Sequence, residues 1–241
     1  MSSATVTDTT TLSKKAPNWL PKAVLVVVLC IAIPIIYLSF RFAMADISAY
    51  SVKYAIESWD QKGELIPLDK IDPIAEKVDS AIGWWPDNAE YIEMKARVEL
   101  YRAITLANGE KDVDAAMTHL NSAIDLHNKA IELRPHWPYS WANRTLVKAY
   151  TGVFDAEYFE GFAKATQFGP WEISSNLSLV EAGLIGWAKL DDATLELVVA
   201  AAERVAEHKP KRLAALLDRY QFKAPFCELM TESDQQKKAC K

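Results

Sequence analysis

Two hydrophobic patterns divide this chain. From Ala23 to Phe40 eighteen consecutive residues carry no charge (AVLVVVLCIAIPIIYLSF), with Lys22 on one side and Arg41 on the other. Beyond them apolar residues recur three and four apart with charges between, as from Asp87 to Ala107, Val113 to Leu133 and Asp191 to His208. The first pattern suits lipid on every side. At 1.5 Å per residue the run reaches about 27 Å, and Trp19, Leu20 and Phe42 extend it toward the thickness of a hydrocarbon core. Pro34 is tolerated in such a helix, as a kink. The second pattern has the period of amphipathic helices, and no segment of useful length alternates like a strand. Pro and Gly punctuate it at Gly63/Pro67, Pro86, Gly109, Pro135/Pro138, Gly152, Gly169/Pro170 and Pro210. These seams predict helices of roughly 12 to 24 residues joined by short turns, hence antiparallel neighbours. The expectation is an all-α protein: an N-terminal transmembrane helix followed by a helical domain.

Residues 1–18 are Ser/Thr-rich with almost nothing to bury, which predicts a disordered cytoplasmic tail. Residues 19–43 form the predicted anchor, 44–224 the helical domain, and 225–241 a polar C-terminal tail. Lys14, Lys15 and Lys22 precede the span, whereas Arg41 and Lys53 follow it beside Asp46, so the positive-inside bias favours a cytoplasmic N-terminus. Ala43-Met44-Ala45 also fits a signal-peptide cleavage site, but the length of the apolar run and Arg41 just before the site argue for an anchor. On either reading the residues after Ala45 leave the cytoplasm. Cysteine usage agrees with export: Cys30 lies in the span, and Cys227 and Cys240 lie close together near the end, where a disulfide would pin a frayed terminus.

The seams carry a repeat. Ala123, His127 and Ala130 precede Pro135 and Trp141; Phe162 and Ala165 precede Pro170, thirty-five residues on; Ala81, Pro86, Ile92 and Ala96 form an upstream copy offset by forty-nine. The alanines let helix backbones approach, the bulky residue fills the groove, and the proline stops the helix. This arrangement resembles the tetratricopeptide family of 34-residue helix pairs, with His127 departing from the usual aromatic. The resemblance covers about residues 70 to 170 and implies an α-solenoid with a concave binding face. An insertion or a longer helix pair must separate the first copy from the second, and an irregular helical bundle is the plainer alternative.

The layout of short tail, span and helical domain, together with the phrases AIGWWPDNAEY and RPHWPYSWANR, is similar to VpsP-type polysaccharide-biosynthesis accessory proteins. That resemblance implies a scaffold beside the inner-membrane machinery that builds or exports a bacterial exopolysaccharide. Its partners would be inner-membrane envelope proteins and the lipid bilayer.

Charge and side-chain chemistry narrow the functions. The net charge of −5, with both signs mixed along the chain, offers no surface for nucleic acid. Four histidines without HExxH spacing point to no metal site, and no G-x-S-x-G elbow or phosphate loop stands among 8 glycines. Acid pairs such as Asp191/Asp192 and Glu90/Glu93 are what a glycosidase needs, but Asp191/Asp192 fit better as a helix N-terminus. No cofactor and no catalysis are expected. Among 8 tryptophans, Trp84, Trp85, Trp137 and Trp171 gather at Pro seams with Tyr91 and Tyr139. On one surface these six would grip a peptide or stack on sugar rings; the alternative is that they are core wedges. The function expected is a membrane-anchored periplasmic adaptor. A carbohydrate-binding or carbohydrate-cleaving domain, and a subunit whose span does the recognising, are the alternatives.

Overall fold

The computed structural model describes residues 19–240, so the predicted tail over 1–18 lies outside the described residues. Among those residues the chain is helical, with no strand. Two compact units meet between Phe42 and Ala43, inside the long helix α1 (Leu20–Lys62).

In the first unit, α1 carries the uncharged run with its apolar side chains exposed. Among the described residues it is the one helix long and apolar enough to cross a membrane. The helix does not stop where that run ends. From Ala43 onward it changes pattern, and within the second unit Ala45, Ala49, Val52, Ile56 and Trp59 form a buried stripe at helical spacing.

The second unit continues with α2 (Leu68–Trp84), α3 (Ala89–Thr105), a π turn (Leu106–Glu110) and α4 (Val113–Leu133). There follow α5 (Pro138–Thr151), α6 (Ala156–Phe168), α7 (Ile173–Ile185), a 3₁₀ turn (Trp187–Lys189), α8 (Asp192–His208), α9 (Pro210–Arg219), α10 (Lys223–Cys227) and α11 (Asp234–Ala239). Local chemistry sets these limits. Asn88, Asp112, Asp155 and Asp191 cap α3, α4, α6 and α8 by accepting backbone N–H groups of the first turn. Pro138 and Pro210 open α5 and α9, where a missing N–H costs nothing. Gly152 ends α5 in the left-handed region, φ 71°.

Consecutive helices pack on one another from α2 to α5, α5 touches both α6 and α7, and α6 touches α8. Every small or bulky residue of the repeat pattern is buried: Ala81, Ala96, Ala123, His127, Ala130, Phe162 and Ala165 are all at 0% exposure. Where helices come closest there is room for nothing more. A Cβ on Gly161 of α6 would lie 1.7 Å from Thr145 Oγ1 and 3.1 Å from the Trp141 carbonyl of α5, and one on Gly183 of α7 would meet Val198 of α8 at 2.7 Å. The long offset of the first copy is a longer helix pair, not an inserted domain: α3, the π turn and α4 span 17, 5 and 21 residues, whereas α5 and α6 have 14 and 13.

His127 keeps the groove-filling place of the repeat and sits wholly inside, with neither ring nitrogen hydrogen bonded. One expectation is corrected. Residues 225–240 do not trail as a polar tail. Phe226, Met230 and Ala239 are buried, and α11 packs against α8 and α9. The apolar members of this segment are spaced too widely for a sequence pattern to reveal. Cys227 and Cys240 are joined by a disulfide with Cα atoms 6.0 Å apart, and Gln236 donates to the Cys227 carbonyl at 3.1 Å.

Candidate functional site

The first helix of each successive pair, α3, α5, α7 and α9, turns one face into a common groove of about 560 Å³, and the end of α1 forms a further wall. Its side chains keep the repeat's register. Tyr139 and Ser174, Asn143 and Ser178, and Leu146 and Glu181 are each thirty-five residues apart, on equivalent turns of α5 and α7. The turns that hold these helices are equivalent too. Trp141 Nε1 donates to the Pro135 carbonyl and Asn176 Nδ2 to the Pro170 carbonyl, both at 2.8 Å.

A ladder of polar contacts crosses the groove floor. Asn143 donates to Glu93 Oε1 at 2.7 Å and accepts from Ser178 Oγ at 2.7 Å, so one side-chain amide links α3, α5 and α7. At one end Asp60 accepts from Arg97 at 2.5 Å and from the Tyr101 hydroxyl. At the other Glu181 accepts from Tyr150 at 3.0 Å and Tyr220 at 2.8 Å, with Arg219 Nη1 at 3.6 Å. Thr105 Oγ1 donates to the Ile66 carbonyl at 2.6 Å and ties the α1–α2 connection to α3.

Burial and neighbouring charge act together here. Burial, with the adjacent carboxylates, pushes the Tyr101, Tyr150 and Tyr220 phenols up, so each stays protonated and donates. Tyr139, which donates to Glu172, is raised to about 12, first by burial and then by that hydrogen bond. Burial also raises the Glu93 carboxyl against the pull of Arg97 and Asn143. Burial opposes the Arg97 charge, but Asp60 and Glu93 outweigh it and hold the guanidinium above its ordinary value.

The six aromatic residues singled out by sequence do not form one surface. Tyr139 alone lines the groove. Tyr91 is core at 3% exposure, and Trp84 and Trp85 are half-buried against the same cluster, because the α2–α3 turn folds beside the Asp46–Lys53 stretch of α1. Trp137 lies beside Tyr139, ring centroids 5.7 Å apart, under the Arg134 guanidinium. Trp171 is exposed at 65%, with Arg204 near its ring. The acid pairs are also separated by role. Asp191 caps α8 by accepting from Thr194 N at 2.8 Å, Glu90 lies 3.7 Å from Lys53, and Glu93 belongs to the ladder. Among the described residues no group of three His, Cys, Asp or Glu side chains is placed to hold a metal.

Sequence reasoning passed over Asp60, Arg97, Tyr101, Tyr150, Glu181 and Tyr220. The one signal that points toward them is the thirty-five-residue spacing of Asn143 and Ser178, which marks a shared face on consecutive first helices. Fold and site together define the class: among the described residues, an all-helical chain with one helix long and apolar enough to cross a membrane and a polar, aromatic-lined groove in its helical domain. The chain matches no family model and no curated protein.

Proposed function

We propose that this chain is a single-pass, tetratricopeptide-like adaptor. In this reading α1 anchors it in a bacterial inner membrane with the N-terminus cytoplasmic and the helical domain in the periplasm. There it scaffolds a cell-envelope assembly, with exopolysaccharide biosynthesis or export indicated by the VpsP-type resemblance. The observation that carries the reading is the joining, in one chain, of an apolar helix of spanning length to a stack of helix pairs whose first helices share a groove in thirty-five-residue register. Lysines before the span support the orientation, and the Cys227–Cys240 disulfide supports an oxidising compartment. Binding rather than catalysis is favoured because Asp60 and Glu181 of the groove and Glu93 behind it are each engaged by an arginine, amide or phenol.

The test is in-cell cross-linking of a tagged chain, detergent extraction and mass spectrometry of what accompanies it. Recovery of inner-membrane envelope proteins, polysaccharide polymerase or export components among them, is the expected result. Recovery of nothing above a tag-only control would overturn the adaptor reading.

A further inference from the structure

The groove is built for a particular chemistry. Its phenols have spent their hydroxyls: Tyr101 on Asp60, Tyr139 on Glu172, and Tyr150 and Tyr220 on Glu181. With the proton committed, each still offers its ring and an accepting oxygen. Asn143 is bonded through both its amide nitrogen and its amide oxygen, and Asn108 donates to the Ile104 carbonyl of its own helix, whereas Gln61 stands at the rim.

The uncommitted charge is cationic. Lys62 and Arg212 both line the groove without an ion-pair partner among the described residues. Arg219, two turns after Arg212 on α9, reaches the Gly63 carbonyl at 3.5 Å beside Lys62 and has only the 3.6 Å contact with Glu181. Against them the rim carries one further carboxylate, Glu64. The volume, about 560 Å³, lies within the roughly 300–1,000 Å³ of small-ligand sites.

From these observations we infer that the groove is a binding site for an acidic saccharide. The faces of sugar rings lie on the phenol rings that line the groove, the ligand's carboxylate is held by the Arg212 fork and Lys62, and ring hydroxyls meet Gln61 and Glu64. Aromatic faces match the C–H face of a pyranose, and a guanidinium matches a carboxylate in geometry as well as charge. This assignment shares only the helix-pair architecture with the adaptor reading, which the cross-linking experiment tests separately.

The test is calorimetric titration of the full chain in detergent micelles with trigalacturonic acid, with maltotriose as the neutral trisaccharide and hexaglutamate as the acidic peptide. Saturable binding of trigalacturonic acid is expected, with maltotriose weaker by about tenfold or more, the loss of one charge-assisted contact. Arg212→Gln should weaken the acidic sugar by a similar factor while leaving maltotriose unchanged. Lys62→Gln, at an exposed helix end, supplies the same comparison if Arg212→Gln melts lower than the parent. No saturable binding of trigalacturonic acid overturns the inference, as does equal binding of maltotriose. Binding of hexaglutamate as tight as the sugar assigns the groove to acidic peptides instead.

Discussion

His127 offers the sharpest test of the packing. It sits on α4 at 0% exposure with both ring nitrogens unpaired, facing the positive fields of Arg97 and Arg144. Burial, reinforced by those two guanidiniums, pushes its pKa down from 6.5 to about 3. A base with a depressed folded pKa binds protons more readily when unfolded, so its contribution is intact above pH 6.5 and is lost as pH falls toward 3. At pH 5, about 1.5 pH units below the unfolded value, the loss attributable to His127 is about 2 kcal/mol. For a domain of this size that lowers Tm by roughly 4–8 °C. The assay is far-ultraviolet circular dichroism melting of the full chain in detergent at pH 7.5, 6 and 5, beside His127→Leu, which has similar volume and no proton site. Glu93, raised by burial, pulls the opposite way in both proteins and cancels in the difference. The variant should already melt higher at pH 7.5, because the unpaired imidazole costs about 1–3 kcal/mol, and its advantage should widen by a further 2 kcal/mol or so at pH 5. Parallel pH profiles would refute the claim that this imidazole is buried neutral and unpartnered.

Other perturbations follow from the same contacts. Gly161→Ala should lower stability by about 2 kcal/mol or more in chemical denaturation, because the new methyl meets Thr145 and the Trp141 carbonyl; an unchanged midpoint would mean α5 and α6 are not so close. Ala130→Trp should overpack the α4 interface and abolish the cooperative melt, since Ala130 has no exposed surface; a normal melt would remove the basis for the tetratricopeptide-like reading. Replacing Cys227 and Cys240 by Ser should cost about 2–3 kcal/mol for the loop of 13 residues. It should also speed amide exchange in α11, and equal exchange in the two forms would show that Phe226 and Ala239 hold this end unaided.

How far the sequence foretells this structure depends on whether the determining contacts are local. Helix limits at Pro86, Pro135, Pro170 and Pro210 were legible because a proline acts on its own backbone, and capping by Asp191 was legible because it reaches only to Thr194. The alanines at 123, 130 and 165 were legible because small residues recur wherever one helix leans on another. The groove was not, since Glu181 meets Tyr150 from 31 residues away and Tyr220 from 39, and nothing in either segment announces the other. Aromatic content misdirected attention. Tyr91, Trp84 and Trp85 cluster in sequence yet serve a core, whereas Trp59, which lines the groove edge-on to Tyr101 at 5.0 Å, stands apart from any other tryptophan in sequence. The C-terminal helices were hidden for a similar reason: α11 packs back on α8 and α9, and Phe226 meets Trp187, thirty-nine residues earlier.

Protease accessibility tests most directly whether the helical domain is anchored outside the cytoplasm. A chain tagged after Lys241 is expressed in a Gram-negative host, membranes are washed with alkaline carbonate, and intact spheroplasts are treated with protease. The tagged chain should stay with the membrane through the wash, and its domain should be digested in spheroplasts while a cytoplasmic marker survives. Release by carbonate, or a tag protected until the spheroplasts are lysed, would contradict that placement.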